Sequence, residues 1–267
     1  MAIAQVQLDP IYSLPFLYAY GMVISNDATT PNTKLNIGAG QVRDSNDNID
    51  MPLGASNLPL NGSATATPLV LDAGVNGVNG LDTGSLAAST MYGVWVIGDS
   101  QYKNAVGAIL TLASNSQPLM PLGYDSMRLI GYWPTDASSH FLKAYMSGIG
   151  TSRLFVYDAP QATAVTAGNA TSYTAVALTA FVPPVENTPV SMAFAFTPGA
   201  ASRVLNLTPG NATGNAVTIT GQVTSVVVSG NAQVLSKVTS AVPEVDYKVS
   251  NSGDAVALNV AGFSFNI

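Results

Sequence analysis

Turn-forming residues return about every ten positions along most of this chain, and the stretches between them are short and rich in Val, Ile, Thr and aromatic side chains. That spacing predicts an all-β chain. Strands are expected at Tyr92 to Ile97, Ala108 to Leu112, Arg128 to Trp133, His140 to Met146 and Leu154 to Tyr157. Others are expected at Val190 to Phe196, Arg203 to Leu207, Val217 to Thr220, Val223 to Val228, Gln233 to Lys237 and Val245 to Val249, and at Ala255 to Val260 and Phe263 to Asn266. Helical character is confined to Thr83 to Thr90, with a cap at Thr83 or Ser85. The run Ala73 to Gly80 holds two Asn-Gly pairs, which favour tight turns, and reads as a loop and not a phosphate cradle.

At 267 residues the chain is long enough for more than one folding unit. Three segments are expected: an extended, Pro-punctuated N-terminal docking arm with short strands over 1–60, a compact β domain over 61–157, and a C-terminal β-sandwich of jelly-roll or immunoglobulin-like type over 158–267. Pro160 marks the second boundary. In the last segment Val190, Met192, Phe194 and Phe196 share one face of a strand, and Ser191, Ala193 and Ala195 share the other. A face of Ala and Ser presents neither charge nor bulk, so it can lie against another sheet or subunit.

Only 9% of the residues are charged, against about a quarter in an ordinary soluble domain. Surfaces made of Ser, Thr, Asn and Ala lose few hydrated ions on contact, which favours permanent assembly. The net charge of −6 and the scattered cations argue against nucleic acid, whose phosphates need clustered Lys and Arg. Membrane insertion is not expected: the apolar stretch Leu8 to Val23 is broken by Asp9, Pro10 and Pro15 and falls short of the roughly 20 residues of a spanning helix. The first residues lack the charged start and apolar run of a secretory signal, so the expected site of synthesis is the cytoplasm. The sequons at Asn61, Asn169, Asn206 and Asn211 are what chance supplies in a chain this rich in Asn and Thr.

Catalytic chemistry is poorly provided for, with no Cys and His140 as the one His. The sharpest suggestion is Gly98-Asp99-Ser100 after an apolar strand, the pattern with which GDSL-type esterases present a nucleophilic serine. Such a serine needs a base, and the available pair is His140 with Asp136. The family's DxxH spacing is absent, as are the helices of its α/β fold, so a hairpin turn is the preferred reading and no catalytic residue is assigned. The turn Asp44-Ser-Asn-Asp-Asn-Ile-Asp50 alternates oxygen donors as calcium loops do, but Ile49 and Ala55 stand at loop positions six and twelve. A solvated turn is expected, with no metal and no cofactor. Tyr12, Phe16, Tyr18 and Tyr20 form an aromatic group in the arm, suited to anchoring it in a neighbouring subunit.

The segments Gly80 to Ser100, Pro121 to Gly131 and Asp136 to Tyr145 resemble a family of tailed-bacteriophage virion proteins, in which a "LAAST-Y" turn leads into a Tyr/Val/Ile strand and a "GYD-x-x-R-x-IG" strand follows. Leu35 to Ser45 looks like a strand-and-turn element of phage fibre and tail proteins. The likeness implies a non-enzymatic structural component of the virion, made in the host cytoplasm: a homotrimeric tail fibre or fibre adaptor that contacts other virion proteins. The alternative within that class is a capsid decoration, cement or head-fibre protein. An alternative of another class is a module that binds host surface glycan, since sandwiches display recognition loops at one end.

Overall fold

The computed structural model describes residues 14–53, 68–101, 106–210 and 216–267; Tyr12, Asn61 and Asn211 lie outside them. Among the described residues there are twenty strands and no helix, so the fold is all-β. In chain order they are β1 (Ala19–Gly21), β2 (Ile24–Asn26), β3 (Lys34–Ile37), β4 (Gly40–Arg43), β5 (Asp50–Leu53), β6 (Leu69–Asp72), β7 (Gly80–Leu81), β8 (Met91–Gly98), β9 (Val106–Leu112) and β10 (Ser126–Pro134). They continue with β11 (Ala144–Ile149), β12 (Ser152–Ala162), β13 (Thr174–Ala177), β14 (Pro189–Thr197), β15 (Arg203–Thr208), β16 (Val217–Gly221), β17 (Val228–Leu235), β18 (Lys237–Thr239), β19 (Val242–Val249) and β20 (Ala255–Asn266).

An eight-stranded sheet in the order β17-β14-β20-β12-β11-β2-β3-β6 forms the backbone of the molecule. A five-stranded sheet has the path β13-β19-β15-β16, with β18 paired to β19. The other two sheets are β10-β8-β9-β7 and β1-β4-β5. Every ladder between these strands is antiparallel except β7 with β9. The large sheet takes strands from all three segments expected from the sequence, and β12 runs across the 157/158 boundary. One continuous set of buried side chains likewise extends from Ala19 to Phe265, with a small satellite at Trp95, Ile97 and Ile109.

The period-two pattern is clear in the central strands. Val190, Met192 and Phe196 of β14 are fully buried, as are Leu258 and Val260 of β20, and Phe194 packs against them, while Ser191, Ala193 and Ala195 and, on β20, Ala257 and Asn259 face outward. Phe155 of β12 organises the aromatic core: it stacks on Phe263 at 4.7 Å and meets Trp133 and Tyr157 edge to face at 5.0 and 5.1 Å. The polar ends of these rings are satisfied, Trp133 Nε1 donating to the Leu142 carbonyl at 3.0 Å and Tyr157 Oη to that of Phe181 at 2.7 Å. Burial pushes the Tyr157 phenol well above its ordinary pKa.

Four local expectations differ from the structure. Thr83 to Thr90 is a bend and turn, because Gly84 and Ser89 adopt positive φ (77° and 48°) and the Thr135 hydroxyl donates to the Ala87 carbonyl at 2.6 Å. His140 precedes any regular ladder, and β11 begins at Ala144. Val223 to Val227 is not strand: Val223, Val226 and Val227 are each more than half exposed, with Ser225 at φ 60°. The two strands expected over 255–266 are one, β20, whose inside–outside rhythm is reset where Ala261 bulges between the pairs Ser191↔Gly262 and Met192↔Val260. Gly262 is required there, since a Cβ would stand 2.3 Å from the Phe155 carbonyl oxygen.

Candidate functional site

The outward face of the large sheet is the most distinctive surface. The strands β14, β17 and β20 contain no Asp, Glu, Lys or Arg. Their outward positions hold Ser191, Ala193 and Ala195 on β14, Ser229, Asn231 and Gln233 on β17, and Ala257 and Asn259 on β20. The face becomes more apolar across β12 and β11, where Leu154, Val156 and Tyr145 are 44, 39 and 68% exposed and Tyr145 is the register partner of Val156. Charge returns only at the margin, with exposed Lys143 ahead of β11 and Asp158 beyond Val156.

Beside Tyr145 the sheet opens. β2 and β11 share one register pair, Tyr145↔Ser25, and a groove of about 470 Å³ lies over the seam, lined among others by Asp27, Pro31, Lys143, Tyr145 and Asp158. The side chain of Asn26 closes its floor: Nδ2 donates to the Leu142 and Pro31 carbonyls at 3.2 and 3.1 Å, and Oδ1 accepts from the Ala144 N–H at 3.2 Å. Asp27 is also committed internally, accepting from the N–H groups of Thr30 (2.7 Å) and Thr29 (2.9 Å), the Thr30 hydroxyl and Asn36 Nδ2. Those bonds, led by the Thr30 amide, lower its pKa. Ser25, Lys143, Tyr145 and Asp158 are exposed polar groups at the rim.

The aromatic residues expected to dock the arm are partly placed. Phe16 and Tyr20 are 61 and 64% exposed beside exposed Leu17, and Tyr18 is half-buried where its carbonyl accepts from the Arg43 N–H. This stretch does not hang free, because β1 pairs with β4 through Tyr20↔Gln41.

Ser100 and His140 are not brought together. Gly98, at one end of β8, pairs with Ser126, whereas Asp136 accepts from the Ser89 N–H beyond the other end, where Met91 pairs with Pro134. The intervening strand, at about 3.3 Å per residue, holds the two on the order of 25 Å apart. Ser100 instead donates its hydroxyl to Asp125, which also accepts the Ser100 N–H at 2.9 Å, and these bonds lower the Asp125 pKa. His140 Nδ1 stands 3.7 Å from Asp136, in a turn that Asp136 caps by accepting from Ser138 and His140 N–H groups at 2.8 and 2.9 Å.

The acidic turn is held by its own carboxylates. Asp44, fully buried, accepts from Asn48 and Ile49 N–H groups at 2.6 and 2.8 Å. Arg43 grips Asp47 and Asp50 at 2.7 and 2.9 Å, which raises its own pKa, Asp47 being the leading cause. Among the described residues no group of three or more His, Cys, Asp or Glu is disposed to hold a metal ion.

Arg153 is among the buried charged side chains that no sequence motif marks. Arg153 is 1% exposed; its Nη2 donates to the Gly21 carbonyl at 2.8 Å, and neither Nε nor Nη1 has a partner among the described residues. Burial lowers its pKa. The signal was present, since Arg153 is in phase with inward Phe155 and Tyr157.

No protein-family model matches this sequence, and no curated protein matches it. Among solved structures, the chain aligns over 93% of its length with 68% of a chain in the structure of infectious bursal disease virus Gx strain, at 10% identity and a TM-score of 0.27. It aligns over 92% of its length with 69% of the exo-beta-1,3-galactanase of Phanerochaete chrysosporium, at 11% identity and a TM-score of 0.19. Overlaps this loose assign neither fold family nor role.

Proposed function

We propose that this chain is a non-enzymatic structural subunit of a tailed-phage virion, a tail fibre or fibre adaptor that works as a homotrimer in contact with other virion proteins. The observation that carries the reading is the charge-free outward face that β14, β17 and β20 give the large sheet, which can be covered by a neighbour without desolvating an ion. Exposed Phe16, Leu17 and Tyr20 add apolar anchors for attachment to the particle. Light scattering on the purified protein tests the assembly: a trimer is expected, and a monodisperse monomer at micromolar concentration that ignores phage particles overturns the reading. Micrographs of particles carrying labelled protein separate a tail position from the capsid-decoration or head-fibre alternative.

A second reading, binding of host surface glycan, draws on the groove beside Tyr145, where an open aromatic ring stands next to the neighbouring Lys143 and Asp158. A glycan array reads it directly; a blank array, together with adsorption unchanged by Tyr145→Ala, removes it.

A further inference from the structure

The two ends of the eight-stranded sheet are built differently. β6 is four residues long, carries Asp72 in an ion pair with Lys34 at 2.9 Å, and continues into a loop whose Asp72 N–H donates to Asn79. β17 is eight residues long and pairs with β14 without a register break from Pro189↔Leu235 to Phe196↔Val228. It has no charged residue, no proline and no bulge, the devices by which exposed edges are usually kept from pairing. The remaining sheet edges are blunted: β1, β7 and β13 are two to four residues long, β5 contains Pro52, β16 has five residues, and β10 is bulged between Leu129 and Gly131.

β17 comes close to β15 and β16 of the five-stranded sheet but forms no ladder with either. Among the described residues, Ser229 to Leu235 make no hydrogen bond outside the β14 ladder. An edge strand directs about half of its N–H and C=O groups away from its one neighbour, so a row of donors and acceptors faces outward. Val223, Val226 and Val227 lead into this edge and are 54 to 56% exposed, with Leu235 at its far end 42% exposed.

We propose that β17 is a docking edge at which a second copy of this chain adds its own β17, antiparallel, joining two large sheets into one. The choice of occupant follows from charge. No Asp, Glu, Lys or Arg occurs between Arg203 and Lys237, so the edge offers nothing to recognise a charged partner and would leave that partner's ions desolvated. Pairing of a strand with itself about a twofold axis sets each residue opposite the one equally far on the other side of the axis, and on this strand every such pair is free of charge repulsion. The outward amides of Asn231 and Gln233 become cross-strand neighbours when the axis falls at Ala232, and the exposed valines of each copy extend the contact at its ends.

This inference rests on the self-assembly reading above but names a different contact. A twofold contact is isologous and joins copies in pairs, so added to a threefold assembly it doubles it. The test is sedimentation equilibrium of the wild type and of an Asn231→Lys/Gln233→Lys variant, with hydrogen exchange of wild-type amides 229–235 at low and high protein concentration. The expected result is an even number of copies, a mass halved by the two lysines, and exchange at 229–235 slowed roughly tenfold or more as concentration rises. A trimer whose mass ignores the lysines, with exchange at 229–235 independent of concentration, overturns the edge contact and leaves the assembly reading standing. A monomer at all concentrations overturns both. Should the variant fail to fold by circular dichroism, the wild-type exchange measurement decides alone.

Discussion

Arg153 reaches Gly21 across the inner face of the large sheet and gives its carbonyl one hydrogen bond of 2.8 Å, with the rest of the guanidinium sealed from water. A buried charge with a single neutral partner is costly to keep, and replacing such groups with apolar residues of similar volume is often neutral or stabilising by about 1–4 kcal/mol. Arg153→Met is therefore expected to hold or raise the urea midpoint at neutral pH. A loss of more than about 2 kcal/mol would overturn the view that the buried guanidinium is a net cost.

Asn26 does the work of a missing strand pairing, its amide bonding to Leu142 and Ala144 where β2 and β11 otherwise meet at one register pair. Asn26→Ala leaves the Ala144 N–H and the Pro31 carbonyl short of a partner and is expected to cost about 1–3 kcal/mol. Hydrogen exchange should show the Ala144 amide opening faster than those of the β12–β20 ladder. Equal protection in wild type and variant would refute a role for the side chain in closing the seam.

The hairpin between β18 and β19 turns through Ser240 and Ala241, both at positive φ (51° and 67°), the geometry of a type I′ turn. Ala is strained there and Gly is not. Ala241→Gly is expected to stabilise the protein by roughly 0.5–1 kcal/mol, part of the gain being offset by the greater freedom of glycine in the unfolded chain. Thermal melting checks the sign; a lower midpoint contradicts the assigned turn.

Asp72 beside Lys34, and Asp27 within its amide cradle, both have carboxyls held below their ordinary pKa, and the ion pair raises that of Lys34. A depressed carboxylate contributes stability that is fully present above its unfolded pKa, near 3.9, and is lost as pH falls through its folded value. Melting midpoints should therefore be flat with respect to these groups above about pH 5 and decline on acidification below about pH 4. Asp72→Asn should shallow that decline, and an unchanged acid limb would rule out its contribution.

What the sequence could convey was local. The alternation in β14 was legible because its inner residues are bulky and its outer ones small, and the low charge of the last segment reappears as an uncharged sheet face. β20 read as two strands because the bulge at Ala261 breaks the period, and β18–β19 carries no Asn-Gly to announce its turn. The Gly98-Asp99-Ser100 motif was locally persuasive, yet only the ladder of β8 shows that His140 belongs to the opposite end. Of the aromatic group in the arm, Phe16 and Tyr20 are exposed as an anchor would need, and Tyr12 lies outside the described residues. Strand order was beyond reach, since neither propensity nor period tells Ser152 to pair with Asn266.

That last pairing has a consequence for how the molecule is made. β20 is the final strand in chain order and occupies an interior place in the largest sheet, between β14 and β12. Until it is delivered, β12 and β14 each wait with a vacant side, and the two flanks of the sheet have no ladder joining them. Pairings this distant along the chain close slowly. Refolding should show amides of β12 and β14 gaining protection together in one late step, during which a neighbouring chain's β20 is a competitor for the same slot.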